Sequence, residues 1–325
     1  MQRWETDELV VGARALRKYE VSRLISIFED RRPEAAEWRA QVLDALDAAR
    51  GTTATSPLIG LTGTPGSGKS SILARVTVDL LRADQDLSLA VIAVDPSSHV
   101  SGGALLGDRT RMRFGSDERR LFFRSQASAT DLGGLGPMSF QVSRLLTRLF
   151  DAVLIETVGI GQSEVDIRHL ADRVYLVLQP LGGDEVQFLK AGIIEVPHAF
   201  IVNKSDEPGA STSYHQLRSS LWLSRPFDED EPPVFLTSAR TGAGLVELEA
   251  DIVAVLGADR AGGSLTDREP YFLRRWVEEE WGRVGLTHLD GPLGGAPAYL
   301  DRTGGFDHAQ QGFGSELIAS LRGAG

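Results

Sequence analysis

The eight residues Gly63-Thr64-Pro65-Gly66-Ser67-Gly68-Lys69-Ser70 match G-x-x-x-x-G-K-[ST], and no other stretch restricts the fold so strongly. That pattern has meaning only between a strand and a helix. Both flanks qualify. Pro57-Leu-Ile-Gly-Leu-Thr62 is a short, almost wholly apolar run that reads as a buried strand, and Ser71 to Leu81 carries apolar residues at helical spacing. In that setting glycines let backbone N–H groups curl around phosphate oxygens at the positive end of a helix dipole. Lys69 adds a point charge toward the terminal phosphates, and the Ser70 hydroxyl, followed by Ser71, can ligate Mg²⁺. The reading is a phosphate-binding loop on an α/β sheet.

The remaining composition narrows the partners. A formal charge of −11 over 325 residues excludes the nucleic-acid backbone as an expected partner. No run approaches eighteen apolar residues, so no membrane span is expected. Met1-Gln-Arg-Trp-Glu-Thr-Asp-Glu8 carries acidic residues and no apolar core, unlike a signal peptide. With no cysteine, disulfides, thiolate metal sites and Cys nucleophiles are excluded, which fits a cytoplasmic protein.

Along the chain, three regions are expected. Residues 1–52 read as a helical hairpin, with apolar stripes Val21, Leu24, Ile25, Phe28 and Trp38, Val42, Leu46 around Pro33. Residues 53–257 alternate apolar strand candidates with helices, the pattern of a mostly parallel sheet covered on both faces. The strand candidates are 57–62, 89–95, 121–124, 151–156, 173–179, 198–203 and 234–237. Residues 258–325 read as one amphipathic helix over 270–281 and then an irregular, Gly/Pro-rich tail, with a short helix around 314–321.

Polar motifs fall at the carboxyl ends of those strands, where ligands gather in such sheets. Asn203-Lys204-Ser205-Asp206 has the form N-K-x-D: its carboxylate can accept from guanine N1 and the exocyclic amine, which adenine cannot match. Ser238-Ala239 ends the next strand and resembles the backbone support for guanine O6 found in GTPases. Asp95 and Glu156 end two further strands, and Asp108 lies in a polar loop. These three acids suit direct or water-bridged roles around Mg²⁺. On an otherwise apolar strand, Glu156 is no mere surface charge. Gly159-Ile-Gly-Gln-Ser-Glu164 supplies a segment able to sense a γ-phosphate. Residues 182–190 read on their own as a plain connection. The six histidines form no cluster.

The strings VDPSS (94–98), SGGALLGDRTRM (101–112), LIETVGIGQSE (154–164), GGDEVQ (182–187) and NKSD (203–206), in this order, closely resemble the MeaB/ArgK family of P-loop GTPases. The family includes the methylmalonic aciduria type A protein, and SGGALLGDR also resembles the GTPase segment of fused acyl-CoA mutases such as IcmF. The resemblance covers roughly residues 15–256 and implies a SIMIBI-class fold. It implies GTP/GDP and Mg²⁺ as ligands and adenosylcobalamin as a partner's cargo. An adenosylcobalamin-dependent acyl-CoA mutase and a cobalamin adenosyltransferase are the implied partners. On this chain it implies Ser70, Asp95, Asp108 and Glu156 around the metal. Gly63–Ser71, Gly159, Asn203, Lys204, Asp206, Ser238 and Ala239 would surround the nucleotide. Lys69, Glu156 and Lys190 would be the catalytic or switch residues, with switches at 97–112, 157–164 and 182–190. Departures are His99-Val100-Ser101 in place of a Pro-Phe-Thr type segment and Ala191 in place of a second lysine. The Gly/Pro-rich 282–325 also do not resemble the helical arm through which family members dimerise, which weighs against a homodimer by that route.

Other classes fit less well. A small-molecule kinase shares the loop but lacks reason for a guanine motif. A nickel-delivery GTPase needs thiol or clustered histidine ligands. A protein-targeting GTPase would carry Asp-Thr-Ala-Gly where Glu156-Thr-Val-Gly159 stands.

Overall fold

The computed structural model describes residues 3–95, 118–127, 135–157, 163–180, 197–224, 231–258 and 265–323. The chain divides into two compact units. One comprises residues 56–135 and 150–261; the other joins residues 1–55, 136–149 and 262–325.

The first unit is a seven-stranded, fully parallel sheet. Its strands are β1 (Leu58–Gly63), β2 (Leu89–Asp95), β3 (Leu121–Ala127), β4 (Ala152–Glu156), β5 (Arg173–Leu178), β6 (Ala199–Val202) and β7 (Val234–Leu236), in the spatial order β3-β2-β4-β1-β5-β6-β7. Strands buried on both faces need no polar alternation, which is why the sequence shows continuous apolar runs. Alternate residues then serve opposite faces. Ile59, Leu61, Tyr175, Val177 and Ile201 pack with Ile72, Leu73 and Val76 of α4 (Lys69–Ala83) and Leu245, Leu248 and Ile252 of α8 (Leu245–Gly257). Leu176, Leu178, Phe200 and Val202 face the other way, onto Leu217 and Leu221 of α7 (Ala210–Ser224). Each such fully buried aliphatic side chain contributes about 1.5–3 kcal/mol. Gly60 sits where a Cβ would come within 2.6 Å of Ile167, so α6 (Ser163–Leu170) lies close against β1.

The topology fixes the binding edge. From β1 the chain crosses to β2 on one side, and from β4 it crosses back past β1 to β5. The loop after β1 therefore stands where the strand order reverses, the crevice at which open α/β sheets bind ligands.

The second unit is helical: α1 (Arg3–Arg14), α2 (Lys18–Phe28), α3 (Pro33–Arg50), α5 (Pro137–Leu149), α9 (Glu269–Asp290), α10 (Ala296–Thr303) and α11 (Phe306–Gly323), with a 3₁₀ turn at Leu265–Arg268. Its core stacks Phe140 on Phe272, centroids 4.5 Å apart, with Phe306 at 5.1 Å. Arg39, Arg144 and Asp307 form a buried ion network: Arg39 Nε donates to Asp307 Oδ1 (2.8 Å) and Arg144 Nη1 to Oδ2 (2.7 Å). Burial opposes the charge on Asp307, but Arg144 and Arg39 outweigh it and hold the carboxyl below its usual range. Glu269, 3.5 Å from Arg144, goes the other way: burial raises it more than Arg144 lowers it.

Two expectations need correction. The tail is not irregular: residues 269–290, 296–303 and 306–323 are helical, so the glycine content gives no ground for denying a helical arm. Three of its glycines serve packing. A Cβ on Gly285 would meet Trp281 Cβ at 2.4 Å, on Gly314 Trp281 Cζ2 at 3.0 Å, and on Gly312 Tyr299 Oη at 3.3 Å. Inside α9, Gly282 breaks helical geometry, with φ 54 and ψ −147. Nor do the two ends form separate regions at 1–52 and 258–325. They share one unit, which α5, lying between β3 and β4 in sequence, also joins.

Candidate functional site

Three strand ends meet at the reversal point. The register sets Leu61 beside Glu156 and Ala93 beside Glu156, so Gly63, Asp95 and Glu156 share one edge. The loop from Gly63 closes onto α4, whose first residue is Lys69. Its glycines are required by geometry. Gly63 has φ +146, and a Cβ there would sit 2.1 Å from Val177 O. Gly68 has φ +89, and a Cβ there would sit 2.3 Å from Asn203 Nδ2. No other residue keeps this loop so close to β5 and β6. Lys69, buried, donates from Nζ to Gly63 O (2.8 Å) and Thr64 O (3.0 Å), which holds its ammonium at the loop.

Behind the loop, Ser70 Oγ donates to Glu156 Oε1 at 2.7 Å, both residues buried. This joins the first turn of α4 to the end of β4. Thr157 Oγ1 donates to Thr62 Oγ1 (2.9 Å) and Thr157 N to Leu61 O (3.0 Å), so the turn leaving β4 is tied to β1. The oxygen-only pair Ser70 and Glu156 suits a hard cation such as Mg²⁺, which takes one or two carboxylates with phosphate oxygens and waters. Among the described residues no group of three or more His, Cys, Asp or Glu converges.

The Asn203–Asp206 segment is built into the same body. Asn203, 2% exposed, donates from Nδ2 to Ser67 O (2.8 Å) and accepts from Ala239 N (3.2 Å). One side chain thus braces the phosphate loop and the loop after β7 together. Lys204 adopts φ +58 and reaches Gln179 Oε1 (3.1 Å) at the end of β5. Asp206 accepts from Ser238 Oγ and pairs with Arg240. Chiefly the Ser238 hydroxyl, with Arg240 adding to it, holds this carboxyl below its usual range. Ser238 Oγ also accepts from Thr241 N (3.1 Å), which fixes the turn.

The structure thus brings together the loop residues Gly63–Ser71, Glu156, Asn203, Lys204, Asp206, Ser238 and Ala239. Ala239 N, in the pair Ser238-Ala239 that resembles the backbone support for guanine O6, donates to Asn203 Oδ1. Asp95 ends β2 on the same edge. Asp108, Gly159, Lys190 and most of the three switch segments lie outside the described residues. Gln179 and Arg240 were missed. Gln179 directly follows β5, at the same strand-end position as the other site residues, which is the signal that marks it; Arg240 has none in sequence.

Residues 21–281 match the family model described as methylmalonyl-CoA mutase-associated GTPase MeaB. A putative GTPase of Pyrococcus horikoshii is 38% identical over 278 residues, 84% of each chain. The GTPase ArgK of Escherichia coli is 33% identical over 289 residues, 86% of each chain. The crystal structure of a LAO/AO transport system kinase superposes with a TM-score of 0.63 at 25% identity, covering 93% of this chain and 91% of that one. A phosphate loop braced to a guanine-type motif on an all-parallel sheet, matched over most of its length by GTPases, places this chain in the MeaB/ArgK family of P-loop GTPases.

Proposed function

We propose that this GTPase is a slow switch that gates adenosylcobalamin loading into an acyl-CoA mutase, methylmalonyl-CoA mutase or a related enzyme, and protects or reactivates that enzyme. The observation that carries the reading is membership of a mutase-associated GTPase family on a site hydrogen-bonded into one piece. A cobalamin adenosyltransferase is the chemistry that must supply such a cargo.

In this reading the amides of Gly66–Ser70 cradle the phosphates at the start of α4, and Lys69 turns its ammonium from the loop carbonyls toward the terminal phosphates. Asp206 reads the guanine edge while the stem of Lys204 covers the base. Ser70, Asp95, Asp108 and Glu156 would hold Mg²⁺, which supplies charge neutralisation on the phosphate oxygens when bound. Glu156 keeps the Ser70 hydroxyl oriented. Turnover in this reading lacks a built-in arginine finger, and such turnover is slow, about 10⁻⁴ to 10⁻² per second. The segments 97–112, 157–164 and 182–190, with Lys190, are assigned to the partner's control of that rate.

The test is phosphate release from GTP while adenosylcobalamin-dependent mutases are titrated in. Stimulation by one of them is expected, and no response to any would sink the switch reading. Labelled GTP incubated with metabolite pools separates the runner-up: label on a small molecule rather than in free phosphate would mark a kinase.

A further inference from the structure

We propose that Arg240 is a built-in competitor for the base-reading carboxylate, and so sets how tightly the site holds guanine nucleotides. The inference rests on the assignment of Asn203–Asp206 to guanine and goes beyond it, because that assignment gives no role to Arg240, which directly follows Ser238-Ala239.

Guanine is read through two parallel donors, N1–H and the exocyclic N2–H, aimed at both oxygens of one carboxylate. An arginine guanidinium carries the same paired donors in one plane and binds carboxylates in the same fork geometry. In this protein both oxygens of Asp206 are engaged, Oδ1 by Ser238 Oγ and Oδ2 by Arg240 Nη2. The two partners are not equivalent. A carboxylate has about four lone-pair positions, so the single hydroxyl of Ser238 leaves room for a base and orients the group. Arg240 brings a planar donor array and a positive charge to the very edge the base must approach.

The backbone keeps the competitor in range. Thr241 N donates to Ser238 Oγ (3.1 Å), Gly242 N to Ser238 O (2.8 Å) and Ser205 N to Thr237 O (2.8 Å). These bonds close the turn that carries Arg240 and tether it to the loop that carries Asp206. Gly242 has φ +86, which lets the turn close tightly. Exposure is asymmetric: the Asp206 side chain is 17% exposed and that of Arg240 77%. The carboxylate is therefore fixed and the arginine free to swing into solvent. Base binding displaces Arg240 rather than Asp206.

An ion pair with so exposed a partner is weak, and its loss on base binding corresponds to about a two- to fivefold change in affinity. The experiment measures GDP and ADP binding by the full chain at low salt, about 0.05 M, and high salt, about 0.5 M, where such a pair is screened. Arg240→Ala is expected to bind GDP about two- to fivefold more tightly at low salt, through faster association, with the gap closing at high salt. Arg240→Lys, a point charge without the fork, is expected to fall between the two. Urea unfolding of each variant checks that the fold is kept. A guanine-specific wild type with Arg240→Ala equal or weaker in GDP affinity at low salt overturns the competitor alone. A wild type that binds GDP no better than ADP removes the guanine assignment, and the proposal with it.

Discussion

Asn203 offers the sharpest test of how this site is held, because its side chain is spent on protein rather than left for ligand. The residue is 2% exposed, its Nδ2 bonds Ser67 O at 2.8 Å, and its Oδ1 takes Ala239 N at 3.2 Å. Asn203→Ala strands a carbonyl inside the phosphate loop and an N–H in the loop after β7. A buried polar group left without its partner costs about 1–3 kcal/mol. The Ser67 bond is short and the Ala239 bond long, so the sum lies near 2–4 kcal/mol rather than at the upper limit. Denaturant unfolding of the protein stripped of nucleotide reads this directly, since a residue that only touched the base would leave that form unchanged. Asn203→Asp keeps the acceptor for Ala239 N but turns an anionic oxygen on Ser67 O, and is expected to lose at least as much. A stripped Asn203→Ala protein within about 0.5 kcal/mol of wild type would refute the brace, since that is the range of inert surface changes.

Two further predictions concern other parts of the molecule. Asp307→Asn leaves Arg39 and Arg144 without their shared counter-charge in the helical unit, at a cost of about 3–5 kcal/mol in denaturant unfolding. Because the folded carboxyl is held below its usual range, that contribution is complete above the unfolded value near 3.9 and is lost as pH falls through the folded one, so wild type and variant should converge in strong acid. His198 is pushed down to about 4, mainly by burial and then by Arg168 and Arg173, while its Nδ1 accepts from Val174 N (2.9 Å). Its folded value lies below the ordinary 6.5, so stability is present above pH 6.5 and falls progressively toward pH 4. His198→Gln should flatten that slope in a thermal-melting series across the same window.

Much of the nucleotide unit is legible in the chain because its signals are local. A strand buried on both faces is a short apolar run, and the polar residue at or just after its end marks the binding edge: Asp95, Glu156 and Asn203 all read this way. The phosphate loop is legible for the same reason, since left-handed backbone at Gly66 and Gly68 demands glycine in sequence. The helical unit is less so. Gly285, Gly312 and Gly314 look like loop formers in the string but make room for Trp281 and Tyr299. A glycine that terminates a helix and one that admits an indole ring are the same letter. Which one it is depends on a residue elsewhere in space.

From sequence alone, then, came the phosphate loop, the guanine motif, the acidic strand ends and the parallel sheet, each written within a few consecutive residues. Tertiary structure decided what those pieces are fastened to. Asn203 reaches Ser67 across 136 residues, Ser70 meets Glu156 across 86, and Arg39 finds Asp307 across 268. Such pairings depend on where the strand order reverses and on which helices share a core. Charge, size and hydropathy at any one position are silent about both, because a hydrogen bond between distant residues is specified by the fold that brings them together.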